Sequence, residues 1–332
     1  MQKTDYIDIF AALGEGLKDF GKDSASVEAV SLAESQNPWF TPNDIFMAVK
    51  AIRDHMLRRD ILSEWLQRYD ISCHNAQDVA VIMAGNIPLV GFSDMMCVLV
   101  CGHNCYIKPS SKDSALINYI TDKLTLIEPG LPIFKYGENG KYDAAIATGS
   151  DSTGTLFRER FAGIPQIIRG SRSSVAILNG SETDEQLKGL SSDIFTYSGL
   201  GCRNVSLLLV PETYDMENLA ARLNPPNINP KYRSNYLHTR AAMAVTCTRF
   251  IDGGSFLFTE DNRFPETLSR INYFRYGNKE GAANWLLMNA GKIQCVVGGE
   301  TPATVSFGEA QYPAPWDYAD GIDVINFLTN LE

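Results

Sequence analysis

Between residues 77 and 178 the chain alternates short apolar runs with helix-like runs, and this rhythm restricts the fold more than any other feature. VAVIMAG (79–85) reads as a buried strand ending at Gly-Asn, and 93–101 as a compact apolar helix stopped by Gly102. NCYIKPSS (104–111) reads as a second strand and 113–124 as a second helix. DAAIATG (143–149) reads as a third strand running into GSDSTG and a helix at TLFRERF, and IPQIIRG and SVAIL (164–178) add further strand. Strands and helices alternating at this spacing predict βαβ crossovers and a mainly parallel sheet, an α/β fold.

Upstream, 4–70 reads mostly as helix, with a break at NPWFTPND and a helix start at Thr41-Pro42-Asn43-Asp44. Downstream, SETDEQLKGLSSDIFTYSG suggests another helix, followed by GLGCRNVSLLLVP. NPPNINPKYRSNY (224–236), polar and with three prolines, reads as an exposed loop or arm. The 29 basic and 39 acidic residues give a net charge of −10, the wrong sign for a phosphate-backbone binder, so no nucleic acid partner is expected. The most apolar stretch, 79–101, is interrupted by Asn86, Pro88 and Asp94, so no membrane span is expected. The first thirty residues mix Asp, Lys and Glu into the apolar pattern and show no secretory signal. With seven cysteines, an odd number, the expectation is reduced thiols in a cytoplasmic protein.

No GxGxxG is present. Gly149-Ser150-Asp151-Ser152-Thr153-Gly154 follows a strand and heads a helix, where backbone amides can meet phosphate, although plain turn chemistry explains the same pattern. Lys108 ends the second strand, a place suited to a ribose or phosphate or simply to solvent. Cys202 lies in GLGCRNVS, where preceding glycines permit a tight turn that presents a thiol; a buried small hydrophobe is the bland alternative. Cys97 and Cys101 fall at i and i+4 on a helix with His103 and Cys105 close behind. Zinc sites, however, prefer short CxxC-like loops with at least three convergent ligands, and Cys105 should face elsewhere from its strand, so buried thiols are expected and no metal. His103 and His238 are candidate proton donors. Arg203 either lowers the Cys202 pKa or caps a strand.

Taken together, AGNIPLVGF (84–92), CYIKPSSK (105–112), ATGSDSTG (147–154) and GLGCRNVSLLLVP (199–211) resemble, in order and rough spacing, the aldehyde dehydrogenase superfamily. More closely, the chain resembles the LuxC-type acyl-CoA reductases, the fatty-acid reductase family, from residue 37 to 328, with NPWFTP and DYADGID included. The resemblance implies an aldehyde dehydrogenase-like fold. It comprises N-terminal helices and a Rossmann-like NAD(P)-binding domain over 1–177, then an α/β catalytic domain over 178–332. It also implies that Cys202 is the acyl-accepting nucleophile and that Asn86 helps hold the oxyanion. By the same resemblance, Lys108 is expected to contact the cofactor ribose, and Gly149, Ser150 and Gly154 to belong to the cofactor turn.

Two departures from the general superfamily pattern refine this expectation. Hydrolytic members carry a water-activating glutamate where this chain has Ile168-Arg169-Gly170-Ser171-Arg172, which favours an acylating reductase. NAD-preferring members often carry a glutamate three residues after the cofactor lysine. Ser111 stands there instead, followed by Lys112, which favours NADPH, with NADH the alternative. The expected reaction is reduction of an acyl-CoA or acyl-protein thioester to a fatty aldehyde. CoA-dependent aldehyde oxidation is one alternative, and an acyl-transfer subunit partnered by an acyl-protein ligase or carrier protein is another. A homo-oligomer is compatible with the resemblance, although the chain is shorter than a typical aldehyde dehydrogenase, which leaves the usual oligomerisation arm open.

Overall fold

The computed structural model describes residues 3–71, 75–225 and 228–331. The first unit comprises Met1–Ser171 and Tyr312–Glu332, and the second Arg172–Gln311. The first unit opens on helices α1 (Lys3–Gly16), α2 (Ser24–Gln36), α3 (Pro42–His55) and α4 (Arg59–Gln67). It continues through β1 (Asp78–Ile82), α5 (Phe92–Val100), β2 (Asn104–Lys108), α6 (Ser114–Ile127), β3 (Ile133–Lys135), β4 (Ala144–Thr148), α7 (Asp151–Arg160) and β5 (Gln166–Arg169). Local signals explain several boundaries. The Thr41 side chain and Asp44 form a reciprocal capping box with Pro42 in the first turn, and Ser150 caps α7 by accepting from the Thr153 N–H.

All strand pairs of the first sheet are parallel, in the order β3-β2-β1-β4-β5. Both faces are covered, as a parallel sheet requires. Val79 and Val81 of β1 enter the large core shared with α1–α6, whereas Ala80 and Ile82 face a smaller core with Ala145, Ala147 and Phe161. The two-residue alternation of a strand thus feeds two cores at once.

The second unit contains β6 (Ser173–Ile177), α8 (Asp184–Phe195), β7 (Val205–Pro211), α9 (Met216–Arg222), α10 (Pro230–Val245), β8 (Ile251–Asp252), β9 (Leu257–Glu260), β10 (Arg270–Tyr276), α11 (Lys279–Asn289) and β11 (Ile293–Val297). Its sheet has the order β11-β6-β7-β10-β9-β8, parallel except for the β8–β9 hairpin. No helix among the described residues is long and apolar enough to cross a membrane.

The structure departs from the sequence reading in three places. SVAIL is β6, which pairs with β7 and β11, so the division falls at 171/172 and not at 177/178. The segment expected to be a polar arm begins the long helix α10. Asn229 accepts from the Lys231 N–H as its cap, and Pro230 occupies the first turn, where its missing N–H costs nothing.

The third departure is the return of 312–331 to the first unit. Here α12 (Val324–Thr329) adds Val324, Ile325 and Leu328 to the large core. A relay of hydrogen bonds fixes the segment: Trp65 Nε1 donates to the Tyr318 hydroxyl at 2.8 Å, the Tyr69 and Tyr318 hydroxyls lie 2.9 Å apart, and Tyr69 donates to Asp323 at 2.9 Å. Tyr318→Phe leaves the Trp65 N–H without this acceptor, and is expected to cost about 1–3 kcal/mol. The check is the midpoint of urea unfolding, compared with wild type at equal slope.

Candidate active site

Parallel strands place their carboxyl ends at one edge of the first sheet. From β1 the chain moves to β2 on one side, and from β4 it moves to β5 on the other. The switch point therefore lies between β1 and β4, and ligands of open α/β sheets bind in the crevice outside the strand ends there. The residues at that edge are Asn86 in the loop after β1, Lys108 at the end of β2 and Gly149 at the end of β4. Ser111 and Lys112 lie exposed in the turn after β2, and Ser150 is exposed at the head of α7. Asn86, Lys108, Ser111, Lys112, Gly149 and Ser150 thus lie along one edge of this unit.

The glycines of the 149–154 turn do less than expected. A Cβ on Gly149 would lie 2.3 Å from Thr153 Oγ1, and one on Gly154 would meet Ile168 at 3.7 Å. Gly149 is therefore required by its own turn against Thr153, whereas the space at Gly154 is ordinary contact, and the feature of the turn suited to an anion is the N-terminus of α7.

The Asn86 loop is held by its surroundings. Asn37, buried in the NPWF segment, donates to the Gly85 carbonyl at 3.1 Å. A Cβ on Gly85 would fall 2.6 Å from Ser110 Oγ, so glycine here lets the 110–112 turn lie against the loop. Leu89 adopts φ of 58°, unusual for a non-glycine residue, and its N–H donates to buried Asp113 at 2.9 Å. Burial pushes the Asp113 carboxyl well up, against the opposing effect of that hydrogen bond.

Asp94, in the first turn of α5, meets Arg169 at the end of β5 at 2.6 Å. The guanidinium side chain is 4% exposed, and its Nε and Nη2 have no hydrogen-bond partner. This is the segment in which a hydrolytic enzyme is expected to carry its glutamate. Here it carries a buried cation tied to the helix that follows the Asn86 loop.

Lys108 is not alone either. Its Nζ lies 2.5 Å from Glu138 Oε1 and 5.3 Å from the centre of the Tyr136 ring. Glu138 follows β3, a three-residue strand with no alternation to betray it in sequence. The edge thus offers a cation, a carboxylate and a helix N-terminus, a set that fits an extended dinucleotide.

Cys202 belongs to the second unit, in the turn before β7, and is half-buried. After α8, Tyr197, Ser198 and Gly199 take φ of 54°, 54° and 71°, three consecutive left-handed residues that reverse the chain into the cysteine turn. Asn204 braces this reversal. Its Oδ1 accepts from the Gly201 N–H at 2.8 Å, and its Nδ2 lies within 3.2 Å of the Asp193, Ile194 and Thr196 carbonyls, which α8 leaves open at its end. Ser174 donates to the Cys202 carbonyl at 3.0 Å.

Arg203 donates its Nε to the Ala310 carbonyl at 2.5 Å, so its job is to hold a loop. Asp193 holds the same loop, accepting from the Gly308 N–H at 2.7 Å and the Ala310 N–H at 3.0 Å. Burial pushes the Asp193 carboxyl up to about 7, against those two hydrogen bonds.

His103 lies at the amino end of β2, the far end of the sheet from Asn86 and Lys108. Its Nδ1 accepts from the Gln77 N–H and its Nε2 faces the Leu328 carbonyl at 3.1 Å, while burial lowers its pKa against that contact. It ties the C-terminal segment to the sheet, which removes it as a proton donor for the crevice. His238 is exposed on α10. Cys97, Cys101 and Cys105 are buried, and burial pushes the Cys97 and Cys105 thiols up; Cys73 lies outside the described residues.

A scan against protein-family models finds no match, and a search of the curated proteins finds none. Solved structures do match. Aldehyde dehydrogenase 21 from Physcomitrella patens, crystallised with its reaction product succinate, aligns over 99% of this chain and 84% of its own, with a TM-score of 0.69 and 12% identity. An acetylating aldehyde dehydrogenase from Geobacillus thermoglucosidasius aligns over 91% and 77%, with a TM-score of 0.60 and 12% identity. An NADP-dependent glyceraldehyde-3-phosphate dehydrogenase from Bacillus halodurans, complexed with NADP, aligns over 91% and 75%, with a TM-score of 0.61 and 13% identity. The fold is that of the aldehyde dehydrogenases. The aldehyde dehydrogenase-like α/β architecture expected from the sequence, with a Rossmann-like unit, is therefore present.

Two outcomes test this geometry. Arg169→Met strands the Asp94 carboxylate and is expected to cost about 3–5 kcal/mol, with part recovered by adding Asp94→Asn; chemical denaturation of the two variants measures both. For Asp193, the folded state holds the proton more tightly than the unfolded chain does. Stability should therefore fall as pH rises from the ordinary carboxylate value of 3.8 towards about 7. Asp193→Asn should flatten the profile of melting temperature against pH over that window.

Proposed function

We propose that this protein is an acyl thioester reductase acting through an acyl-enzyme on Cys202. Its substrate is a fatty acyl-CoA or an acyl-protein thioester and its product the aldehyde, as the likeness to the LuxC-type reductases implies. The observation that carries the reading is the Cys202 turn, a half-buried thiol held by Asn204 and Ser174 in a fold shared with aldehyde dehydrogenases.

The Cys202 thiolate attacks the thioester carbonyl. A new carbon–sulfur bond forms, and the donor thiol leaves as the carbonyl returns. Asn86 is assigned to the developing oxyanion through its side-chain amide, together with a backbone N–H near Cys202. The pinned backbone around Asn86 supports this role, because a donor fixed before reaction need not reorganise during it. A reduced nicotinamide held by the cofactor residues assigned below would supply hydride to the acyl carbon. The Cys202 sulfur would then leave as the thiolate while the aldehyde carbonyl forms.

Residues 168–172 present no carboxylate to activate water, and Arg169 is committed to Asp94. This supports an acyl-enzyme that persists until reduced or transferred. Lys108, Ser111, Lys112, Gly149, Ser150 and Gly154 are assigned to the cofactor, with Lys108 and Lys112 as the cations at the strand-end edge. Serine in place of a carboxylate at 111, with Lys112 beside it, supports NADPH, and NADH remains the alternative. The acetylating neighbour supports a second reading, CoA-dependent aldehyde oxidation by the same acyl-enzyme run backwards.

Intact mass spectrometry tests the shared intermediate. Wild type mixed with acyl-CoAs of graded chain length, without nicotinamide, should gain the acyl mass, and Cys202→Ala should not. Adding NADPH should discharge the adduct as aldehyde. Wild type that takes up no acyl group from any chain length would overturn the CoA-donor mechanism and leave an acyl-protein donor, from a ligase or carrier protein, as the form to try.

A further inference from the structure

We infer that Glu138 is the residue that sets the choice between the two nicotinamide dinucleotides. The inference rests on the cofactor reading above and goes beyond it, since the sequence argument weighed only Ser111 and Lys112.

The fold supplies the first step. In a parallel nucleotide-binding sheet the ribose next to the adenine meets the carboxyl end of the second strand, where an acidic side chain binds the free 2′-hydroxyl and a basic one accommodates a 2′-phosphate. In this chain β2 ends on Lys108, and the turn that follows adds Lys112. Taken alone, that end is wholly cationic.

The neighbouring strand changes the balance. Ile107 of β2 pairs with Lys135 of β3, so the loop leaving β3 emerges beside Lys108. Glu138 in that loop carries the carboxylate that meets the Lys108 ammonium at 2.5 Å. Its backbone is anchored independently. Arg160, the last residue of α7, donates to the Glu138 carbonyl at 2.7 Å, and the Gly137 N–H donates to the Tyr142 hydroxyl at 2.8 Å. Tyr136 lies under Lys108 and stacks on Tyr142, with ring centres 5.1 Å apart, which keeps the ammonium on one side of the platform.

A carboxylate delivered by a braced loop to the strand-end lysine does the work of the acid missing at 111. It can accept a hydrogen bond from a ribose hydroxyl, and it opposes a 2′-phosphate by charge. Lys112 favours the phosphate on the opposite side. The pair is exposed, 46% for Lys108 and 70% for Glu138, so a ligand can exchange with it without unpacking a core. The two turns thus pull in opposite directions, and the protein accepts both NADH and NADPH, with Glu138 holding back the phosphorylated form.

The test is equilibrium binding of NADPH and NADH, followed by nicotinamide fluorescence at low ionic strength, for wild type, Glu138→Gln and Lys112→Gln. Both side chains are exposed, and a matched circular dichroism spectrum and melting temperature confirm each fold. Glu138→Gln should tighten NADPH by about tenfold, the size of one removed like charge, and weaken NADH. Lys112→Gln should weaken NADPH more than NADH, the opposite change in their ratio. A wild type that binds both dinucleotides while Glu138→Gln leaves their ratio unchanged would overturn the role of Glu138 and keep the cofactor reading. A wild type that binds neither overturns both.

Discussion

The parallel arrangement of the first sheet is the constraint on which the candidate site depends. Parallel pairing forces every connection to cross back over a face, so the carboxyl ends of β1, β2, β3 and β4 all open at one edge. Residues far apart in sequence are thereby delivered to a single line: Asn86 after β1, Lys108 after β2, Glu138 after β3 and Ser150 after β4. None of them needs a special backbone path to arrive there. What they need is that each loop be held still, by buried polar groups at Asn86 and by exposed hydrogen bonds at Glu138 and Ser150.

The Asn86 loop shows how. Its backbone groups are taken up by Asn37 and Asp113, and the helix it feeds is tied to β5 through Asp94 and Arg169. Each of these ties is costly unless fully paired, because a buried charge or amide that loses its partner keeps its desolvation penalty. The same logic recurs around Cys202, where Asn204 absorbs the open carbonyls at the end of α8 and the Gly201 N–H together. In both units the candidate side chain is the exposed or half-buried tip of a turn whose supports are buried and polar. The same supports explain how Leu89, Tyr197 and Ser198 can keep left-handed backbone angles.

The strands and helices over 77–178, with the exception of the three-residue β3, were legible because each is local: an apolar run, a glycine stop, a capping serine. Cys202, Asn86, Lys108 and the 149–154 turn stand out as candidates only in combination, through the resemblance of four ordered motifs, since each alone has an ordinary structural explanation. The supports were not legible. Asp94 and Arg169 are 75 residues apart, and Lys108 and Glu138 are 30 apart. Nothing in the local pattern of either partner marks it out, since pairing across a sheet depends on strand order and not on spacing. The C-terminal segment was misassigned for the same reason, because Trp65 and Tyr318 meet across 253 residues. Helix α10 is a different case. Asn229-Pro230 is a sound start signal, but the prolines upstream and the polar composition obscured it.

The two ion pairs at the strand-end edge differ in a way that separates their tasks. Arg169 and Asp94 are 4% and 14% exposed, whereas Lys108 and Glu138 are 46% and 70% exposed. A buried pair cannot open without stranding charge in a low-dielectric interior, so it acts as a fixed joint and contributes position. An exposed pair is worth little to stability, since water screens it and its side chains remain free to move. Its partners can therefore be exchanged for those of a ligand at small cost. The arrangement places the rigid pair behind the loop that must not move and the exchangeable pair where a dinucleotide's ribose would be read. On the proposed reading of this edge, stability and selectivity rest on different charges, and a change in one need not disturb the other.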